Sequence, residues 1–266
     1  MIRKPVVAGR FYPGTKAALS AAVEKLLSHS PKEEAIAILS PHAGYMFSGD
    51  VAGHVYSSIS IPDRVILIGP NHTGLGAPVA VAASGQWEIP LGKVTVDEET
   101  AAELIASSHL FSRDMEAHLM EHSLEVQLPF IYAVNPKASI VPITVMRATA
   151  AECEEMGRVI AGVLFEKKGA TLIVASTDMN HYEPDSVTRK KDSLALEKVL
   201  ALDAKGLLAV TAKEDITMCG VIPSAIAIFA SKALGARHSR LVKYATSGEV
   251  NGETRQVVGY AGVIIR

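Results

Sequence analysis

The sequence has little of what marks several classes of protein. Only two of its 266 residues are cysteine, Cys153 and Cys219, and aromatic residues make up 5%. Two cysteines cannot form the disulfide framework of a small secreted protein, and they fit a reducing compartment. So few aromatic residues also offer few stacking surfaces for a ligand that contains a ring.

No strong charge and no long apolar run is present either. The formal net charge is -2, which provides no basic field for nucleic acid. No stretch reaches the roughly 18 uninterrupted apolar residues that a membrane span needs. The basic start, residues 1–6, is followed by Gly9, Arg10 and Pro13 rather than by an apolar signal core. We therefore expect a soluble, cytoplasmic protein that has no nucleic-acid or membrane partner.

What the chain does have is an alternation of helical and strand patterns over a length that suits one domain, residues 1–266. Short apolar runs at 35–39, 65–68 and 171–175 predict buried strands. The final runs, 241–245 and 256–265, are typical of hairpin-connected strands. The sequence therefore predicts a three-layer α/β/α sandwich with a mixed central sheet.

Cap residues and proline predict where several other elements begin. Thr15 and Asp97 are expected to cap helices, and Ser48 is expected to cap a helix that runs to about Ser58. Residues 121–131 predict a further helix, which Pro129 limits or kinks. The segment 87–97 has proline and glycine between apolar residues, which predicts a hairpin or an excursion from the sheet.

Histidines follow three of the expected core strands. His42 and His72 come directly after two of them, and His181 follows the third within a short polar segment. In open α/β sheets, ligands bind at the edge where parallel strands end. Three imidazoles delivered to one edge predict a metal or proton-transfer site.

Each of these residues also has a purely structural interpretation. A turn histidine can simply bond a carbonyl, and Asp178 or Asn180 can cap the next helix. Cys219 can be an ordinary core residue, although a position beside a helix N-terminus would lower its pKa and favour the thiolate. Cys153 lies among acidic neighbours and is the poorer candidate for a ligand.

The string from His118 to His122, H-x-x-E-H, matches the inverted zinc metalloprotease motif. On one helix these two histidines would share a face, and Glu121 could act as a base. The competing interpretation places Glu121, His122 and Glu125 in one polar stripe beside the cleft, with His118 in the preceding loop.

Several longer strings resemble the Memo family, in that family's order and over nearly the whole chain. They are Arg3-x-Pro5-x-x-Ala8-Gly9-x-Phe11-Tyr12-Pro13, Pro41-His42-Ala43-Gly44-Tyr45-x-x-Ser48-Gly49, Gly69-Pro70-Asn71-His72, Pro90-Leu91-Gly92, Glu121-His122-Ser123-x-Glu125-x-Gln127-x-Pro129-Phe130, Ser176-x-Asp178-x-x-His181-Tyr182 and Cys219-Gly220.

The Memo family is similar to the class III extradiol ring-cleaving dioxygenases, which are α/β sandwiches that bind non-haem iron(II). This resemblance implies that His42, His72 and Cys219 are metal ligands. It also implies that His181 is the acid/base residue, with Asp178 close by. The dioxygenases use a glutamate where this chain has Cys219, and a thiolate makes the site softer. The resemblance thus implies Fe(II) or Cu, with Zn less favoured, and radical-SAM and AMMECR-type partner proteins.

Two functions of different classes follow from these residues. The first is a metal-dependent oxidoreductase that acts on a small molecule or peptide. In it, Asn71, His122, Glu125 and Tyr45 would surround the ligands and the substrate. The second is a non-enzymatic module that uses the same cleft to bind a peptide or a partner protein.

Overall fold

The computed structural model describes residues 1–28 and 30–266, which form twelve strands and ten α-helices. The strands are β1 (Ile2–Arg3), β2 (Ala37–Ser40), β3 (Arg64–Pro70), β4 (Val79–Val81), β5 (Gln86–Ile89), β6 (Gly92–Thr95), β7 (Ser112–Arg113), β8 (Ser139–Val145), β9 (Thr171–Ser176), β10 (His181–Glu183), β11 (Ser239–Thr246) and β12 (Val257–Ile265). The helices are α1 (Lys16–Leu26), α2 (Tyr45–Ser57), α3 (Glu98–Ser107), α4 (Glu116–Leu119), α5 (Leu128–Val134), α6 (Ala150–Phe165), α7 (Asp185–Leu200), α8 (Ala204–Lys213), α9 (Val221–Ala233) and α10 (Gly248–Asn251).

A large mixed sheet forms the middle layer. Its strand order is β10-β12-β2-β9-β3-β8-β4-β7, and β11 also pairs with β12. The four strands β2, β9, β3 and β8 run parallel, whereas β12 is antiparallel to β2 and β11. The predicted mixed sheet and the terminal hairpin-type pairing are therefore confirmed.

The central strands bury both of their faces, which gives the sheet a helical layer on each side. In β3, Ile66 and Ile68 pack into a core with α3, α6, α7, α8 and α9. Val65 and Leu67 point the other way, into a core with α1, α2 and α5. This alternation, with a period of two residues, makes the three-layer sandwich that the sequence predicts.

A second, smaller sheet lies against the α1, α2 and α5 side and has the order β1-β5-β6. Its strands β5 and β6 are antiparallel, so the predicted hairpin at 87–97 is confirmed. Trp87 of this hairpin is almost fully buried. Strand β1 thereby holds the N-terminus of the chain beside the main sheet.

Two helix predictions are wrong. The helix expected over residues 121–131 is a loop, then a turn of 3-10 helix (Glu125–Gln127), then α5. The Glu121 carboxylate accepts the backbone N–H groups of His122 and Ser123, and such bonds compete with a helix. Helix α2 begins at Tyr45, and the Ser48 hydroxyl donates to the Ala43 carbonyl instead of capping it.

Within residues 1–28 and 30–266, no helix combines the length and the apolar character that crossing a membrane requires.

Candidate metal site

The carboxyl ends of the parallel strands border a cavity of about 640 Å³. His42 follows β2, His72 follows β3, and Asp178 follows β9, so the topology brings all three to one edge of the sheet. The cavity is lined by Phe11, His42, Ala43, Gly44, His72, His122, Asp178, His181, Tyr182, Thr217, Cys219 and Val258. The convergence predicted from the strand ends is present in the structure.

His42 is held so that one ring nitrogen faces the cavity. Its Nδ1 lies 2.9 Å from Ser176 Oγ, and that hydroxyl donates its own proton to the Ser123 carbonyl at 2.6 Å. Ser176 can therefore only accept from Nδ1, which fixes the proton on Nδ1 and leaves an unprotonated Nε2. Gln127 holds the same hydroxyl through a hydrogen bond of 2.8 Å.

His72 is oriented in the same way by a carboxylate. Its Nδ1 donates to Glu121 Oε1 at 2.9 Å, and its backbone N–H donates to the other oxygen of that carboxylate. Burial disfavours the charged form of Glu121, but the hydrogen bond and charge of His72 and the N–H of Ser123 outweigh it and lower the pKa to about 2. A carboxylate behind Nδ1 leaves Nε2 available to a metal, as is common for histidine ligands.

Cys219 completes this group from the loop before α9. The donor atoms of His42, His72 and Cys219 all lie within 4.8 Å of one another, and Cys219 Sγ is 3.3 Å from His42 Nε2. Gly220 makes the close approach possible, because a Cβ there would lie 2.4 Å from Thr177 Cβ. Two imidazoles and one sulfur thus point into one space.

The expectation that a helix N-terminus lowers the pKa of Cys219 is wrong for the protein without a bound metal. Burial and the neighbouring Asp178 carboxyl raise the pKa of this thiol well above its ordinary value. Burial lowers the pKa of His42 well below its ordinary value, so its imidazole is neutral near pH 7. The imidazole is therefore ready to bind a metal, whereas the thiol would release a proton on binding one.

His122 lies beside the two histidines in the cavity wall. Its ring stacks on that of His72 at 4.7 Å between centroids and meets the His42 ring edge-on at 5.6 Å. Burial lowers the pKa of His122. With His72 and Glu121 it forms a second cluster whose donor atoms are close enough to hold a metal. The predicted place of His122 beside the ligands agrees with this position.

Asp178 and His181 line the cavity beside Cys219, and donor atoms of these three residues also lie within 4.8 Å of one another. The His181 Nδ1 donates to the Thr217 carbonyl at 2.8 Å, which leaves Nε2 as a proton acceptor. The Asp178 carboxylate accepts the His42 backbone N–H at 2.8 Å, while burial raises the pKa of Asp178. Both proposed acid/base residues therefore line the cavity.

Three other residues expected at the site do not belong to the described lining of the cavity: Asn71, Tyr45 and Glu125. The Asn71 side chain closes a turn by bonding the backbone of Thr73, Gly74 and Leu75. The buried Tyr45 hydroxyl donates to the Val126 carbonyl at 2.8 Å.

Glu125 belongs to a separate buried cluster, which we call the N-terminal anchor and define as Arg3, Tyr12, Trp87, His118 and Glu125. Its carboxylate pairs with Arg3 Nη1 at 2.6 Å and accepts the Tyr12 hydroxyl at 2.7 Å. The Arg3 guanidinium also lies 4.2 Å from the centre of the Trp87 ring. The expected polar stripe beside the cleft is therefore divided, since Glu125 contacts the N-terminal segment, Glu121 lies behind His72, and His122 lines the cavity.

The zinc protease interpretation of H-x-x-E-H is wrong. Helix α4 ends at Leu119, so His118 and His122 do not share a helix face. The buried His118 has Nε2 3.1 Å from the Ala80 carbonyl and packs against Trp87. Because His122 lines the cavity and His118 lies in the N-terminal anchor, the two cannot act as one ligand pair.

The sequence analysis missed three residues that orient the histidines: Glu121 as the carboxylate behind His72, and Ser176 and Gln127 behind His42. All three occur in the strings that resemble the Memo family. Those strings are the signal in the sequence, and the structure supplies the reason: all three side chains are fully buried, and a buried polar group needs a fixed partner.

The chain is similar to known proteins over nearly its whole length. The family model described as Memo-like protein matches residues 3–264. A MEMO1 family protein of Pyrobaculum aerophilum is 42% identical over 99% of this chain and 98% of that protein. One from Methanopyrus kandleri is 40% identical over 100% of this chain and 99% of that protein.

A solved structure, that of an uncharacterised protein of Escherichia coli K12, is similar in fold. Its TM-score is 0.53 at 13% identity, and the match covers 86% of this chain and 98% of that one. This likeness shows the α/β fold alone. With the family match over residues 3–264 and relatives about 40% identical along the whole chain, the protein belongs to the Memo family.

Proposed function

We propose that this protein binds Fe(II) or Cu through His42, His72 and Cys219 and works as a metal-dependent oxidoreductase. The observation that carries the proposal is the convergence of three donor atoms within 4.8 Å, with both imidazoles oriented from behind through Nδ1. An oriented histidine of this kind is typical of a metal ligand.

The chemistry of the donor set fits a redox metal. Two imidazoles and a sulfur form a soft site that suits copper and iron, with zinc less favoured because it supplies no redox chemistry. When bound, such a metal supplies electron transfer and a position for substrate exchange. The three proposed ligands line a cavity of about 640 Å³, which can hold a small molecule or the end of a peptide.

Two residues beside the proposed ligands, Asp178 and His181, would move protons. The His181 Nδ1 is occupied by its hydrogen bond to the Thr217 carbonyl, so Nε2 is the ring nitrogen that can exchange a proton with a bound substrate. Asp178 holds the backbone of His42 and, because burial raises its pKa, can return a proton. Dioxygenase-type chemistry is included in this proposal through the family resemblance.

The second candidate is a non-enzymatic module that binds a peptide or a partner protein in the same cavity. It is favoured by the raised pKa of Cys219, which keeps the thiol neutral when no cation is bound. Partnership with radical-SAM and AMMECR-type proteins is a proposal carried by the family resemblance. Titration with tyrosine-containing peptides separates the two functions: binding that survives His72→Ala and His181→Ala supports the module.

Metal content tests the ligand assignment. The protein is stripped of metal and loaded without oxygen with Fe(II) or Cu(I), and the bound metal is then measured after desalting. We expect about one metal per chain, and a loss of affinity of more than about tenfold in His42→Ala, His72→Ala and Cys219→Ala. His54→Ala is the matched control, since His54 is part-exposed on α2 and bonds the Asp50 carbonyl. Equal metal content in all five proteins would contradict the assignment.

A further inference from the structure

Tyr182 has a backbone conformation that is rare for its residue type. Its φ is 60°, and among the described residues only Leu202 and Asp215 share a positive φ without being glycine. A bulky residue in this region is an outlier, because its Cβ crowds the backbone. Such strain persists only where the surrounding structure imposes it, and it is common at functional sites.

A β-bulge imposes this conformation. In the pairing of β10 with β12, His181 lies opposite Val258 and Glu183 lies opposite Val257, so Tyr182 is the extra residue. Both neighbours are fixed: the His181 N–H donates to Thr217 Oγ1 at 2.8 Å, and Glu183 pairs with Lys191 at 2.7 Å. Bulges next to active sites re-aim a side chain.

The re-aimed ring lies at the mouth of the metal-facing cavity. Tyr182 lines that cavity, yet 72% of the residue is exposed, and its ring lies 5.6 Å from that of His181. Phe11, which contacts His122 at 4.9 Å, is the only other residue with a phenyl ring in the described lining. Aromatic residues are few in this chain. The Tyr182 ring is therefore the one mostly exposed aromatic face in the described lining, and it lies beside His181, the proposed proton acceptor.

We propose that Tyr182 contacts the substrate and determines specificity by stacking on a planar, unsaturated group, an aromatic ring or a conjugated amide. The inference rests on the proposed metal-dependent function, since the cavity and its ligands define where the substrate lies. An aromatic face prefers an offset or edge-on partner ring 4.5–7 Å away, and a rigid backbone reduces the ordering cost of that contact. A puckered ring of equal size has no flat face and cannot stack on the Tyr182 ring in this way.

Three hydroxamates that share one metal-binding head group test this inference on the oxidised, iron-loaded protein. Benzohydroxamate has a planar ring, cyclohexanecarbohydroxamate has a puckered ring of similar size, and acetohydroxamate has none. We expect the wild type to prefer the planar ring over the puckered one by roughly threefold to tenfold. Tyr182→Phe should keep this preference and Tyr182→Ala should lose it. Phe165→Ala, which removes another exposed aromatic ring at the end of α6, should leave it unchanged.

Acetohydroxamate separates this inference from the function on which it rests. Equal acetohydroxamate affinity in all variants shows that the metal site is intact. A planar preference that survives Tyr182→Ala would then overturn the role of Tyr182 alone. If acetohydroxamate fails to bind the loaded wild type, the proposed metal site is overturned, and this inference with it.

The melting temperature of Tyr182→Gly distinguishes a specificity role from a structural one. Glycine adopts a positive φ without crowding, so the variant should melt no lower than the wild type while losing the planar preference. A lower melting temperature than that of Phe165→Ala would show that the ring stabilises the edge of the sheet, and would overturn the proposal.

Discussion

Glu121 and Glu125 are two fully buried carboxylates four residues apart, and they belong to different regions of the molecule. Glu121 holds His72 at the candidate metal site, with 2.9 Å between Oε1 and Nδ1. Glu125 lies in the N-terminal anchor, where Arg3 pairs with it and the backbone N–H groups of Val6 and Val7 donate to it.

The partners, rather than the residue type, decide what each carboxylate does. The full charge of Arg3 neutralises Glu125 inside the protein, so this pair ties the start of the chain to the core. Glu121 has no arginine partner and instead receives N–H groups from the backbone and from His72, whose second nitrogen is left for the cavity. Glu125 therefore stabilises the fold, and Glu121 orients His72, a candidate metal ligand.

The largest expected effect comes from breaking the anchor. Glu125→Ala leaves the Arg3 guanidinium buried without its partner, which should lower the free energy of unfolding by about 3–5 kcal/mol. Urea denaturation measures this loss. Metal bound per folded chain should stay near the wild-type value, because Glu125 does not line the cavity.

Lys4→Ala is the matched control for that variant. Lys4 pairs with Glu88 at 2.9 Å, but the Lys4 side chain is 70% exposed, so its loss should cost less than about 1 kcal/mol. A loss in Glu125→Ala as small as that in Lys4→Ala would show that the anchor does not stabilise the fold.

Acid should weaken the N-terminal anchor as the pH falls below 6.5, and the lowered pKa values of His42 and His122 place part of the metal site in the same window. Burial lowers the pKa of His118 from 6.5 to about 4, so the folded state disfavours a protonated His118. The contribution of His118 to the free energy of unfolding is fully present above pH 6.5. It is lost as the pH falls towards 4, by an amount on the order of 3 kcal/mol. His118→Gln should flatten this part of the stability curve, whereas His54→Gln should not.

Glu121 titrates in a different window. Its pKa is lowered from 4.5 to about 2, so the stability that it contributes is present above pH 4.5 and is lost as the pH falls through 2. If the curve of His118→Gln still falls between pH 6.5 and 4 as steeply as that of the wild type, the contribution assigned to His118 is wrong.

Glu121→Gln should affect metal affinity, which Glu125→Ala is expected to leave unchanged. The neutral amide holds His72 less firmly, and loss of such a partner typically reduces metal affinity by about 10-fold to 100-fold. Competition with a calibrated chelator measures the affinity, and Glu125→Gln is the control of matching chemistry. Equal affinities in the two Gln variants would remove the distinction between the carboxylates.

The smallest effect should come from Tyr45→Phe. The variant loses only the hydrogen bond to the Val126 carbonyl, at a cost of about 1 kcal/mol, and should leave metal affinity unchanged. Denaturation and the chelator assay check both expectations. A tenfold fall in metal affinity would show that Tyr45 supports the metal site, as the sequence predicts.

Local patterns account for what could be predicted from the sequence. Runs such as Val65–Ile68 are apolar on both faces, which predicts a central strand, and the turn residues after them predict where His42 and His72 come together. The family strings extend this prediction to Cys219 and His181.

Partners distant in sequence explain the rest. The direction of the Glu125 carboxylate depends on Arg3, which lies 122 residues away, and the direction of the Tyr45 hydroxyl depends on Val126. The loop at Glu121 replaces a helix because its own carboxylate takes the backbone N–H groups. The bulge at Tyr182 depends on its pairing with β12, which no local pattern around Tyr182 indicates.

X-ray absorption of the iron-loaded or copper-loaded protein tests the central claim most directly, because it identifies the atoms around the metal. The ligand set of His42, His72 and Cys219 predicts nitrogen scatterers and one sulfur scatterer in the wild type, with the sulfur lost in Cys219→Ser and retained in Cys153→Ser. A spectrum without sulfur, or one that Cys219→Ser leaves unchanged, would contradict the claim.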